Sequence, residues 1–184
     1  MPILGALMGL FFLSGMPGTA LSAEAPALPA YILTLTGYNA VPAQTDTDPS
    51  MTASGSAANP EVVAARSHDL AGELPFGTIV EIVGPAVAGE GCGWSATAKH
   101  IGYRVIADTM NTRYHNSLDI LFSTNNQFLM SDGRTKNASV VLGTCANTLV
   151  RVVGFIDISR PSALPKTQTE LAALVEKLDF TFTK

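Results

Sequence analysis

Between Ala30 and Ile158 the chain repeats one pattern: a short run rich in Val, Ile, Leu and Thr, then a turn carrying Gly, Asn, Asp or Pro. The runs are AYILTLTGY (30–38), EVVAA (61–65), GTIVEIVG (77–84), YRVIAD (103–108), LDILF (118–122), ASVVLG (138–143) and LVRVVGFIDI (149–158). In the first, Tyr31, Leu33 and Leu35 alternate with Ile32, Thr34 and Thr36, the period of a half-buried strand. No helical spacing separates most of the runs. A mainly β fold follows, a small closed barrel rather than an α/β sheet. The stretch NAVPAQTDTDPSMTASGSAANP (39–60) reads as one long polar loop.

Two stretches carry helical signals. STNNQFLM (123–130) predicts a short helix of roughly one and a half turns, with Ser123 or Thr124 as N-cap, ahead of the turn SDGR. TQTELAALVEKL opens with the capping-box pattern Thr167-x-x-Glu170 and puts Leu171, Leu174, Val175 and Leu178 on one face. This predicts a C-terminal amphipathic helix, set off by the Pro-containing linker SRPSALPK and packed on the barrel; the same face could instead meet a partner.

With 184 residues, 47% hydrophobic and 14% charged, the chain can bury one good core and is read as a single folded domain. Its net charge is −4, and its eleven Lys and Arg are scattered without forming a basic stripe. Nucleic acid is therefore excluded as a partner. His68, His100 and His115 lack the spacing of a zinc site, so neither a metal nor a cofactor is expected.

The first 23 residues read as an address. Ile3 to Gly15 is an apolar run of signal-peptide length, too short for a comfortable membrane span, and Ala20-Leu-Ser-Ala23 offers a small-x-small cleavage pattern. No Lys or Arg precedes the run, and the competing expectation is an uncleaved N-terminal anchor, the one way the chain would touch a membrane. Cys92 in EGCGWSA and Cys145 in LGTCANT agree with export to the cell envelope or beyond. An even cysteine count in an exported chain reads as one bridge, contributing roughly 3–4 kcal/mol by loop entropy. Two unpaired buried thiols are the alternative.

The segment IADTMNTRYHNSLDILF (106–122) sets Asp108 and Asp119 where β-type runs meet a polar loop. A carboxylate there is costly unless it is paired or used. One explanation is structural, an Asp accepting backbone N–H bonds at a strand end. Asp157 in GFIDIS also sits in a strand, so position alone does not make an acid catalytic.

Taken in order, TGYNA (36–40), MTASG (51–55), VVAARSHDLAGELPFGTIVEI (62–82), YRVIADTMN (103–111), SLDILF (117–122) and LVRVVG (149–154) resemble the three-aspartate (3D) domain. That domain is a six-stranded double-psi β-barrel of the rare-lipoprotein-A-like superfamily, and it also forms the catalytic part of membrane-bound lytic transglycosylase A. The resemblance covers residues 31–158; residues 159–184 are left as linker and helix. It maps the three aspartates onto Asp69, Asp108 and Asp119. The last two keep the family's separation of eleven residues, whereas Asp69 lies further ahead of Pro75 than the family pattern has it.

The resemblance implies that the chain, read as exported and monomeric, cuts peptidoglycan glycan strands without water. Asp119 would serve as acid and then base, and Asp108 as its charged neighbour. Asp69, Tyr38, Thr109 and Arg113 would contact substrate. Thr109 and Tyr38 are expected as hydrogen-bonding neighbours of the acids, and Tyr38 could also support a sugar ring. Between the two acids the transglycosylase form carries a Gly-rich, Lys-containing segment, where this chain has MNTRYHNS. Arg113 in that segment could bind a sugar hydroxyl or a stem carboxylate, or pair with an acid. The competing reading is a non-catalytic, expansin-like module that binds glycan; a protease inhibitor or other partner-binding barrel is a third.

Overall fold

The computed structural model describes residues 28–45 and 48–182. The signal peptide expected over residues 1–23 lies outside the described residues. Eight strands and three α-helices follow in the order β1 (Ala30–Asn39), β2 (Val63–Arg66), β3 (Thr78–Pro85), α1 (Trp94–Thr97), β4 (Tyr103–Thr109), β5 (Ser117–Phe122), β6 (Gln127–Leu129), β7 (Thr135–Asn137), α2 (Ala138–Leu142), β8 (Cys145–Phe155) and α3 (Gln168–Phe182).

Six of the strands form one sheet closed on itself, in the order β1-β5-β2-β4-β3-β8, with β8 pairing back onto β1. The fold is thus mainly β, as the runs predict. The pairs β1–β5 and β2–β4 are parallel and the other four are antiparallel. Every ring strand falls on a run named from the sequence.

Strand alternation sorts the apolar residues into two clusters. All six ring strands contribute to the first: Leu33, Leu35, Ala64, Val80, Ile82, Ile106, Leu118, Ile120, Phe122, Val150 and Val152 fill the interior. The alternate residues Val63, Ala65, Ile79, Val105, Ala107 and Leu121 face outward and share a second cluster with Ile158, Leu164, Leu171 and Val175. At roughly 25 cal/mol per Å² of apolar surface removed from water, both clusters stabilise the ring. Leu171 and Val175 are the buried residues of the stripe on α3, which therefore packs on the ring as expected. The Thr167 hydroxyl accepts from Glu170 N at 3.2 Å, and the Glu170 carboxylate accepts from Lys166 N at 2.7 Å. Gln168 then ties the helix to β4, accepting from Tyr103 N at 3.2 Å and donating to Tyr103 O at 2.8 Å.

Two of the predicted elements exchange types. The expected strand ASVVLG is helix α2, and the short helix expected in STNNQFLM is instead β6, which pairs with β7 around the turn at Gly133. Capping overrides the β preference of Val140 and Val141. The Asn137 side chain accepts from Ser139 N at 3.0 Å and is itself held by Asn39 Nδ2 at 3.1 Å, while Ser139 Oγ donates to Asn39 Oδ1 at 2.9 Å. In the hairpin, Met130 N donates to Arg134 O at 2.8 Å, and Gly133 supplies the positive φ that the turn needs.

Cys92 and Cys145 form a disulfide, with Cα atoms 4.7 Å apart, linking the segment after β3 to the start of β8. The bond is compatible with an extracytoplasmic location.

Candidate active site

The ends of β1, β5, β2 and β4 form the floor of a groove of about 700 Å³ on the outer face of the ring. Residues of the 40–58 loop and of the β4–β5 connection wall it. Register places four residues in one row across these strands. Thr36 is level with Asp119, Asp119 with Ala65, and Ala65 with Asp108. The last step depends on a β-bulge: Ala64 pairs with Ile106, but Ala65 pairs with Asp108, so Ala107 is an extra residue. A bulge re-aims the side chain that follows it. Strict alternation after the interior Ile106 would turn Asp108 inward; the bulge brings it into the groove beside Asp119. Ala65, whose side chain is a single methyl, leaves the space between the two acids open.

The two acids have different surroundings. Asp119 accepts one hydrogen bond, from the Thr36 hydroxyl to Oδ1 at 2.9 Å, and its Oδ2 receives none from the described residues. Desolvation pushes its carboxyl up to about 7; the Thr36 hydrogen bond works against the rise, and the charge of Asp108 adds to it. Asp108 accepts three hydrogen bonds: Ala53 N at 2.9 Å and Thr109 N at 2.9 Å on Oδ1, and the Tyr38 hydroxyl at 2.8 Å on Oδ2. Through Ala53 it also holds the 40–58 loop against the end of β4, where Ser54 N donates to Ala107 O at 3.1 Å.

Tyr38 is only 8% exposed, so its ring does not offer a platform for a sugar. Burial, then Asp108, raises its phenol well above the ordinary value, keeping it a hydrogen-bond donor. Gly37, beside it on β1, lets the Phe122 ring pack close: a Cβ there would lie 2.8 Å from that ring.

The structure brings together Asp108, Asp119, Tyr38, Thr109 and Arg113 from the sequence-derived set, all of them lining the groove. Asp69 is not among the lining residues. It sits in a single 3₁₀ turn (His68–Leu70) and accepts Asn116 N at 2.9 Å, fixing the chain as it enters β5. Hydrogen bonds from Ser67 and then Asn116 hold its carboxyl below the usual carboxylate range. Its carboxylate thus ties two connections together, one donor following β2 and the other preceding β5.

Sequence reasoning missed three contributors. Thr36 lies in TGYNA, but only its register partner gives it a role. Ala65 matters for its small size, and Ala53 for a backbone N–H that no motif marks. Among the described residues no three His, Cys, Asp or Glu side chains converge as a metal centre would require. No family model matches the chain, and no curated protein matches it.

Proposed function

We propose that the chain is an exported double-psi β-barrel of the three-aspartate kind that cleaves peptidoglycan glycan strands in the manner of a lytic transglycosylase. The observation that carries this reading is the unequal acid pair lining one groove: a carboxyl able to hold a proton near neutral pH, with one oxygen that receives no hydrogen bond from the described residues, beside a carboxyl supplied with three donors. An acid that keeps its proton beside a second carboxyl fixed by donors can divide the labour of proton transfer with it. The interleaved strand order and its two parallel pairs support the double-psi topology. The disulfide supports export.

In this mechanism the proton on Asp119 Oδ2 passes to the glycosidic oxygen as the C1–O bond breaks. Asp108, fixed by its three donors, stabilises the oxocarbenium-like charge that develops on the sugar. The Asp119 carboxylate then takes the proton of the C6 hydroxyl as O6 closes onto C1. A 1,6-anhydro sugar results, the proton count at Asp119 is restored and no water is consumed. No second nucleophile is needed, unlike the two-carboxylate hydrolases.

A second reading, glycan binding without cleavage, draws on the fact that Asp108 is occupied as an anchor of the 40–58 loop. Incubating the protein with purified sacculi separates the two. Cleavage predicts release of anhydro-muropeptides that falls as pH rises through about 7. Asp119→Asn should reduce release by roughly 10²–10⁴-fold without unfolding the protein. Binding to sacculi with no released product assigns the groove to binding alone.

A further inference from the structure

Of the described residues that line the groove, Asp108, Asp119 and Arg113 are the charged ones, so Arg113 is the lone cation facing two acids. It stands in the β4–β5 connection, in the segment MNTRYHNS. The turn beneath it is fixed at both ends: Asn111 Oδ1 accepts Arg113 N at 3.1 Å, and Asn111 O accepts Tyr114 N at 3.0 Å. Its guanidinium lies 4.9 Å from the centre of the Tyr114 ring, and Nη2 donates to the Tyr114 hydroxyl at 3.0 Å. It forms no ion pair with any described carboxylate.

A guanidinium has five N–H donors in a planar fork, and the Tyr114 hydroxyl uses one of them. An exposed arginine ordinarily loses rotamer entropy when it binds; one already stacked on an aromatic ring loses less. The groove floor is acidic and repels an anionic substrate. A neutral glycan would need no cation in such a groove, whereas an anionic one needs a positive group to offset the acids and to set which way it lies.

We propose that Arg113, held over Tyr114, is the specificity-determining residue of the groove and binds a carboxylate carried by the glycan or its peptide stem, selecting anionic over neutral glycan chains. This rests on the reading of the groove as a glycan site. The shared chemistry is a carboxylate near the scissile linkage. Its two sources are the lactyl group of the sugar and the acids of the stem.

Binding is measured with the full chain carrying Asp119→Asn, which silences cleavage while keeping the shape of a protonated acid. The probes are neutral chitooligosaccharides, stem-stripped glycan strands, stem-bearing strands, and stem-bearing strands with their carboxylates converted to methylamides. Carboxylate-bearing strands should bind about 10–100-fold more tightly than chitooligosaccharides or the methylamides, as expected of one charge-assisted bidentate contact. Added Arg113→Gln should remove the preference, and Arg113→Lys should retain only a minor part of it, since it keeps charge without the fork. Affinity for stripped strands alone assigns the lactyl carboxylate, which is an uncharged amide where a stem is attached; affinity for stem-bearing strands alone assigns the stem.

With otherwise native protein, Arg113→Gln should raise KM by the same factor, change kcat less than threefold and leave the pH profile in place. Equal binding of neutral and carboxylate probes, binding of none of them, or a preference that survives Arg113→Gln overturns the proposal. A preference lost with Arg113→Gln, in a protein that releases no anhydro sugar, upholds it while rejecting cleavage. Release of anhydro sugar with no carboxylate preference does the reverse.

Discussion

The β5 and β4 ends of the groove floor present the same functional group in opposite condition. On β5, Asp119 is desolvated and receives a single hydroxyl; on β4, Asp108 is ringed by two backbone amides and a phenol. The strands that carry them flank the same short strand, β2, and one row of side chains contains both. Burial is the first cause of the rise at Asp119. The donors differ as well, and two of Asp108's three come from outside its own strand. A carboxyl with a single donor in a dry setting, as at Asp119, prefers its proton.

The largest consequence lies in the pH dependence of stability. Because Asp119 holds its proton more tightly folded than unfolded, the folded protein carries more protons between the ordinary carboxylate range and about 7. Its contribution is present in full below the unfolded value and is lost as pH rises through the folded value. Asp119→Asn removes that loss. At pH 8 the variant should be more stable than the parent by on the order of 2–4 kcal/mol, with the gap closing toward pH 4. Denaturant melts across this range measure it, and parallel curves for the two proteins would mean that the two acids are alike.

Asp108→Asn should act in the other direction. An amide in that place turns an NH₂ toward donors and leaves at least one of them unmatched, costing roughly 1–3 kcal/mol at any pH above the carboxylate range. Thermal melting should fall by about 2–4 °C per kcal/mol, and the Ala53 amide should exchange faster with solvent as the 40–58 loop loosens. An unchanged melt with Ala53 still protected would remove Asp108's role as an anchor.

Thr36→Val should be the gentlest of the three. It deletes the one hydrogen bond that favours the Asp119 anion, so the alkaline limb of glycan cleavage should move to higher pH. Stability should change by about 1 kcal/mol or less, and Thr36→Ser should restore the limb. A limb that stays in place would mean that the hydroxyl does not govern the proton.

The ring was legible because its runs carry the strand period and their apolar residues must face a core. The α2 and β6 assignments were not, because Val140 and Val141 favour strand locally while Asn137, Ser139 and Asn39, a hundred residues apart in the chain, impose the cap. Asp119 could be placed by alternation, since Leu118 and Ile120 face inward. Asp108 could not: its orientation depends on the extra residue at Ala107, and a bulge leaves no mark in an apolar run. Resemblance grouped Asp69 with the other two acids although its spacing from Pro75 did not fit, and only its partners Ser67 and Asn116 set it apart from them. Arg113 stood out as a departure from the family's pattern, but Tyr114's hold on it is a tertiary fact.

The position of β8 in the ring also bears on the order of assembly. It is the last ring strand to leave the ribosome, and it alone joins β3 to β1, so every residue of the groove is synthesised before the sheet can close. Until then β1 and β3 each present an unpaired edge, the kind of surface that recruits other chains. Cys145 is the first residue of β8, and its bond to Cys92 fastens the closing strand at its leading end. Where oxidation is quick the bond works as a latch on a finished ring; where thiols stay reduced, the same edges remain open to aggregation for longer.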